Sequence, residues 1–448
     1  MQAVILAGGK GTRLKQITGD LPKSLVDIEG RPLLLHHLEL ARSQGIGDIL
    51  ILTGYRAAAI RDLIGDGSQF GVKVTYQDEG ESDPLGPAGA LLSAFDLLED
   101  RFLVFYGDCF TKVDLRRMLD CHEQRAADAV LFVHPNDHPH DSDLVEADTA
   151  GRIGKFHAYP HPEGQWLPNL VNAALHSFDK SALKPYRDRW SAGSIPRKLD
   201  IGKHLFPMML AEGRRLFAYR CGEYVKDAGT PERLERVIAD LRSGRVDRDS
   251  LTTPQPAIFL DRDGTLNVEV ERVRTPDDLE LIEGAVEAVR MINRSGFRAI
   301  LATNQAVLAR GDCDEAGLAQ IHAKLETLLG RGGAWLDAIY YCPHHPHRGY
   351  HGEVPELKID CDCRKPKPGM VFQAKTDFNL DLSQSWMIGD SALDIRTARN
   401  AGMRAVLVRT GKAGSDLEPG ESPDYTFDSL REAVAFITRT GITGTGCQ

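Results

Sequence analysis

Several features that define other protein classes are missing from this 448-residue chain. No apolar run reaches the ~20 residues that a membrane-spanning helix needs. The opening residues, Met1-Gln2-Ala3-Val4-Ile5-Leu6-Ala7-Gly8, lack the basic start and small-residue cleavage site of a signal peptide and read as a strand entering a glycine turn. Basic residues are not in excess. The formal net charge is -10, which argues against a nucleic-acid or acidic-membrane partner, since either would want a broad cationic face. A locally basic pocket for phosphorylated small molecules is compatible with that balance. There is no tandem repeat and no long low-complexity tract. The expected location is the cytoplasm, where thiols stay reduced, so clustered cysteines are expected to bind metal rather than form disulfides. A homo-oligomer stays open on the sequence.

What is present falls into two halves, as the length of the chain requires. Each half begins with a short, wholly apolar strand that runs into a special loop. The first is Ala3-Val4-Ile5-Leu6 before Ala7-Gly8-Gly9-Lys10-Gly11-Thr12-Arg13, and the second is Ala257-Ile258-Phe259-Leu260 before Asp261-Arg262-Asp263-Gly264-Thr265. Such strands are buried on both faces, as in parallel sheets. Further strands are expected at 48–52, 72–76, 102–106 and 129–133 in the first half, and at 298–302, 386–388 and 405–408 in the second. Helices are expected at 33–44 and 89–98. Alternation of this kind predicts an α/β fold of two doubly wound domains, with ligands at the carboxyl ends of the strands. The expected bounds are 1–240 and 257–440, joined by a polar linker at 241–256 that closes on Pro254 and Pro256.

The second half carries the sharper chemistry. Asp261 and Asp263 leave a buried strand at alternate positions, so both carboxylates are expected to face one site. Asp261 is suited to attack phosphorus and form an aspartyl-phosphate, and Asp263 to protonate the leaving oxygen and then activate water. Asp390, at the end of another apolar strand, would complete a hard-oxygen magnesium site with Asp261 and Asp263. Thr303 and Asn304 end a third strand and can hydrogen-bond a phosphate, which Lys365 can neutralise.

Between them, Cys342-Pro343-His344 and Cys361-Asp362-Cys363 supply three thiolates and one imidazole, a closed tetrahedral set suited to structural zinc. His345, His347 and His351 are alternatives to His344. The metal would hold Arg364 and Lys365 over the phosphate site.

Asp-x-Asp-Gly-Thr with the matching strand ends resembles the haloacid dehalogenase (HAD) superfamily of phosphatases over about residues 257–438. The zinc loop, Asp-Arg-Asp-Gly-Thr-Leu-Asn and Thr-Asn-Gln…Ala-Arg-Gly, which ends on Arg310 and Gly311, look like the heptose bisphosphate phosphatases. The resemblance implies that the loop stands in for a large cap domain and helps select the substrate, with Arg310 and Arg364 among the substrate-binding residues. The related histidinol phosphatases share much of the pattern, and that substrate stays open here. Two positions depart from it: Ala306-Val307-Leu308 stands where Ser-Gly-Ile is common, and Ser391 where a lysine is common.

In the first half, Gly8-Gly9-Lys10-Gly11-Thr12-Arg13-Leu14 lets backbone amides approach a triphosphate closely. It is neither a P-loop nor Gly-x-Gly-x-x-Gly. Lys23 adds a cation, and Asp108 and Asp227 could hold magnesium between a nucleotide and a sugar phosphate. The set is similar to the sugar-1-phosphate nucleotidyltransferases, over about residues 1–238. That resemblance implies attack by a sugar 1-phosphate on the α-phosphorus of a nucleoside triphosphate, with Arg13 and Lys23 stabilising charge. It assigns Leu6, Ala7, Gly8, Gly9, Gly11, Thr12 and Gly89 to the nucleotide, Asn172 to the sugar and Lys203 to the sugar phosphate. The Glu-Lys-Pro usual after Gly-x-Ile-x-x-Phe is replaced by His157-Ala158-Tyr159-Pro160. A sensing rather than catalytic first half is the alternative.

Taken together, the halves imply a bifunctional enzyme. The phosphatase would remove the 7-phosphate of a heptose 1,7-bisphosphate, and the transferase would join the heptose 1-phosphate to a nucleotide, with resemblance favouring guanine.

Overall fold

The computed structural model describes residues 1–81 and 83–440, with the side chains of Thr12 and Thr18 outside that description. Contacts group the chain into two compact units. One holds Met1–His134, Val145–Ala158 and Asn172–Ser250. The other holds Pro135–Leu144, Tyr159–Val171 and the chain from Leu251 onward. Among the described residues, no helix is long and apolar enough to cross a membrane.

The first unit is built on a mixed sheet. Its parallel centre runs Arg101–Tyr106, Gln2–Ala7, Asp48–Thr53, Lys73–Asp78. Ala3, Val4 and Ile5 are fully buried there, as a strand covered on both faces must be. Strand Val171–Asp179 joins antiparallel to Arg101–Tyr106. A separate ribbon pairs Cys109–Lys112 with Tyr224–Asp227, setting Asp227 opposite Cys109.

The second unit is a six-stranded sheet in the order Ala338–Cys342, Arg298–Asn304, Ala257–Leu260, Trp386–Gly389, Arg404–Val408, Tyr425–Phe427, with every pair parallel. The pleat sends alternate residues to opposite layers. Ile258 and Leu260 pack with helices Ala285–Arg294, Glu315–Arg331 and Leu430–Thr440. Ala257 and Phe259 pack with helices Gly369–Phe378 and Ala392–Ala401. This is the doubly wound arrangement expected from the sequence. The segment Tyr159–Val171 lies in this unit along helix Glu315–Arg331, where the Leu167 amide donates to Thr327 Oγ1 at 3.0 Å and the Asn169 amide to Glu326 at 3.2 Å.

Candidate active sites

In the second unit, three strands deliver the chemistry to one pocket. Asp261 follows strand Ala257–Leu260 and is tied to its neighbour by a backbone bond from its amide to the Ile388 carbonyl at 3.0 Å. Asp390 follows strand Trp386–Gly389, and Thr303 and Asn304 end strand Arg298–Asn304. These residues line a pocket with Asp263, Gln305, Arg310, Arg364, Lys365 and Lys412. Gly264 is needed at its position for two reasons. Its φ of 74° is left-handed, and a Cβ there would strike the Asp390 carboxylate. Gly411 borders the same carboxylate in the same way.

The carboxylates that come together are Asp261, Asp390 and Asp394, whose oxygens lie within 4.8 Å of one another. Asp394 joins two of the expected trio, and the Asp263 carboxylate lies outside this grouping while still lining the pocket. The chain turns sharply at Gly264, and the Asp263 carboxylate is drawn into hydrogen bonds from Arg262 Nε (3.1 Å), Asn267 (3.1 Å) and Gln305 (3.0 Å). Burial would raise the Asp263 pKa, but Arg262 and these donors outweigh it and hold the carboxyl below its usual range. Asp261 is pushed the other way, to about 6, by burial, with Lys365 opposing and Asp394 adding to the rise. Asp390 is pushed up to about 7, again chiefly by burial. Lys365 is itself buried, which disfavours its charge, yet Asp261 at 2.8 Å and Asp394 at 2.6 Å raise its pKa overall.

One ammonium against three carboxylates leaves excess negative charge in a desolvated site. That donor set, all oxygen and clustered, fits a divalent cation such as magnesium. Asn304 also serves a purpose that was not expected. Both ends of its amide bind the Lys365 backbone, at 3.1 and 3.0 Å. It places Lys365 while itself lining the pocket.

The four zinc candidates converge. Cys342, Cys361 and Cys363 have sulfur–sulfur distances of 3.2 to 3.5 Å, and His344 Nδ1 is 3.3 Å from Cys363. All four ligand atoms lie within 4.8 Å of one another. Three sulfurs and a ring nitrogen at this spacing fit a tetrahedral metal with bonds of about 2.3 Å to sulfur. Among the described residues, this set and the carboxylate trio are the two such groupings. Arg364 donates to the His344 carbonyl at 3.0 Å, so the knuckle reaches the pocket directly.

The cleft of the first unit is lined by Leu6, Ala7, Gly8, Gly9, Gly11, Arg13, Lys23 and Asp108, among others. Gly11 is left-handed (φ 60°), and a Cβ on it would press on Lys23 at 2.9 Å. Lys23 forms an ion pair with Asp108 and lies 3.9 Å from Asp227. The two aspartates meet because the Ala228 amide bonds the Asp108 carbonyl at 2.8 Å beside the ribbon. Gly89, Asn172 and Lys203 are not on this lining. Gly89 also has a packing role, since a Cβ there would lie 2.7 Å from the Arg197 carbonyl. Lys203 is exposed on the short helix Ile201–Leu205. The Thr12 side chain lies outside the described residues.

Sequence reasoning passed over Glu79. It sits one residue past strand Lys73–Asp78, at the carboxyl end of the sheet, and lines the cleft. One of its oxygens accepts the Leu85 amide at 3.0 Å, and the other lies against Gly8 and Gly54. Burial raises its pKa. Its position at a strand end was the available signal.

Residues 2–244 match the nucleotidyl transferase family, and residues 362–433 match the HAD-hydrolase-like family. The D-glycero-beta-D-manno-heptose-1,7-bisphosphate 7-phosphatase of Vibrio cholerae is 39% identical over 187 residues, covering 41% of this chain and 97% of that protein. The chain belongs to the nucleotidyl transferase family in its first half and to the HAD-type phosphatase family in its second. It is therefore a bifunctional enzyme of the transferase and hydrolase classes. Two solved structures are similar to its halves. The D,D-heptose 1,7-bisphosphate phosphatase from B. bronchiseptica, complexed with magnesium and phosphate, is 33% identical with a TM-score of 0.37, covering 42% of this chain and 99% of that one. HddC from Yersinia pseudotuberculosis, complexed with GMP-PN, is 25% identical with a TM-score of 0.44, covering 54% and 99%. In the phosphatase half, Asp261, Lys365 and Asp390 stand around one pocket. In the nucleotidyl transferase half, the glycine turn, Lys23 and Asp108 border one cleft, and Asp227 stands beside Lys23 while paired with Arg233.

Proposed function

We propose that the phosphatase half removes the 7-phosphate of D-glycero-D-manno-heptose 1,7-bisphosphate, and that the nucleotidyl transferase half joins GMP from GTP to the resulting heptose 1-phosphate. The observation that carries the reading is the relative named above, which this chain covers almost completely, fused to a nucleotidyl transferase. A transferase of this kind consumes a sugar 1-phosphate, which is what removal of the distal phosphate leaves. The anomeric phosphate must therefore be spared.

In the phosphatase half, Asp261 attacks phosphorus as the bond to the sugar O7 breaks, and Asp263, ionised in the free site, gives O7 a proton that it takes up as the anionic substrate binds. Asp263 then takes a proton from the water that opens the aspartyl-phosphate. Lys365 and the Thr303 hydroxyl face the phosphoryl oxygens, and Arg310 and Arg364 hold the remaining phosphate. Asp261, Asp263 and Asp390 would hold magnesium, with Asp394 beside them holding Lys365 and Ser391, and the ion when bound would offset the charge of carboxylates and phosphate. Cys342, His344, Cys361 and Cys363 would hold a structural zinc.

In the transferase half, the amides from Leu6 to Thr12 cradle the triphosphate, and Arg13 and Lys23 offset the charge that gathers as pyrophosphate leaves. Asp108 and Asp227 would hold a second magnesium. Asn172, Lys203 and Gly89 are assigned to the sugar phosphate and nucleotide by family pattern. Glu79 supports guanine: a carboxylate accepts from both N1–H and the N2 amino group of that base. The proposed domains are 1–240 and 257–440, with Pro135–Leu144, Tyr159–Val171 and the chain from Leu251 grouping with the second by contacts, and the proposed location is the cytoplasm.

Competition between heptose 1,7-bisphosphate and histidinol phosphate tests the phosphatase reading. The heptose substrate is expected to have the higher kcat/KM, and the reverse order would overturn it.

A further inference from the structure

The loop between the zinc candidates docks on the short helix Val307–Arg310 at successive points. The Val354 amide donates to the Ala309 carbonyl at 3.1 Å. The Gly352 carbonyl presses on Gly311, a left-handed glycine (φ 73°) that has no room for a Cβ. Tyr350, from the same loop, lies with its ring centroid 5.0 Å from the Arg310 guanidinium carbon and 4.4 Å from the Lys358 ammonium. His345 packs edge-on to that ring at 5.8 Å.

Arg310 needs such support. It lines the phosphatase pocket, and among the described residues it has no carboxylate partner, while its Nε is buried without a hydrogen bond. Three other cations of the pocket are committed, Arg262 to Asp263, Lys365 to Asp261 and Asp394, and Arg272 to Asp312, whereas Arg364 and Lys412, like Arg310, have no carboxylate partner among the described residues. A guanidinium left without a counter-charge at a pocket is suited to an incoming anion. A cation is attracted to the negative face of an aromatic ring, and the flat guanidinium is oriented by the contact.

We propose that Tyr350 is a positioning residue that holds Arg310 ready for the second phosphate of a bisphosphorylated substrate, so that the loop sets substrate class through one aromatic contact. This rests on the phosphatase reading above.

The test uses the full-length protein with heptose 1,7-bisphosphate and with heptose 7-phosphate, which lacks the second phosphate. Tyr350→Met keeps the volume but removes the ring. It is expected to raise KM for the bisphosphate about tenfold, the size of one such contact, with kcat and the heptose 7-phosphate constants within about twofold. Tyr350→Phe keeps the ring and is expected to behave as wild type. In an Arg310→Met background, Tyr350→Met is expected to add nothing. An unchanged KM in Tyr350→Met, additivity with Arg310→Met, or equal loss on both substrates would overturn the proposal. A wild-type enzyme without preference for the bisphosphate would instead overturn the phosphatase reading on which it rests.

Discussion

The Lys365 ammonium lies 2.8 Å from the Asp261 carboxylate, and both side chains are largely shut off from solvent. Burial raises the carboxyl pKa, and the lysine keeps it from rising further. On the proposed reading, the pair supplies an ionised nucleophile beside a fixed positive charge.

Replacing Lys365 with methionine is expected to lower phosphate release by at least about a hundredfold, the scale on which one preorganised charge acts. Pyrophosphate release by the transferase half should stay at the wild-type rate. Both are measured on one preparation by separate phosphate and pyrophosphate assays. Phosphate release within a few-fold of wild type would remove Lys365 from the chemistry.

The zinc assignment predicts a metal count. Wild-type protein is expected to carry one zinc per chain by elemental mass spectrometry, and Cys363→Ser to lose it. Because such metal binding is coupled to folding, the variant should also melt at a lower temperature. Full zinc content in Cys363→Ser would show that the four residues do not form a single site.

Glu79→Gln tests base selection. The amide keeps one acceptor but puts a donor against guanine's own donors. The kcat/KM for GTP is expected to fall at least about tenfold relative to UTP and ATP, on the scale of a lost buried charged hydrogen bond. An unchanged order among the triphosphates would dissociate Glu79 from the base.

Acid sensitivity follows from three buried histidines of the transferase half. Burial lowers His37 and His122 to about 4 and His176 to about 3, against an ordinary 6.5. Between those values the unfolded chain binds more protons than the folded one, so stability is lost as pH falls below 6.5. The melting temperature should drop from pH 6.5 to pH 4.5. His176→Phe, which keeps an aromatic ring among Tyr106, Phe178 and Phe206, should lessen that drop. A flat profile in the wild type would contradict the assignment.

The strands were legible because they are short, apolar and followed by glycine or acid. The 48–52 segment appears as Asp48–Thr53 and the 129–133 segment as Ala129–His134. Helix 89–98 instead starts at Gly86 and ends at Ser93 before a short 3-10 turn, since Gly86-Pro87 initiates it. The zinc candidates were legible from spacing alone. Asp394 was not, because it enters the carboxylate group from the first turn of a helix, where it also caps Ser391. Arg262 reads in sequence as a bystander between two aspartates, yet it is fully buried and clamps Asp263. Such contacts depend on where the chain turns, as at Gly264, and no periodicity reports that.

The most direct test incubates the whole protein with heptose 1,7-bisphosphate, magnesium and each nucleoside triphosphate in turn, and weighs the products by mass spectrometry. GTP is expected to give a GDP-heptose, with one phosphate and one pyrophosphate released per molecule. Asp261→Asn should form none from the bisphosphate, yet form it when supplied with heptose 1-phosphate. Loss of both phosphates from the sugar, or no nucleotide sugar with any triphosphate, would contradict the account.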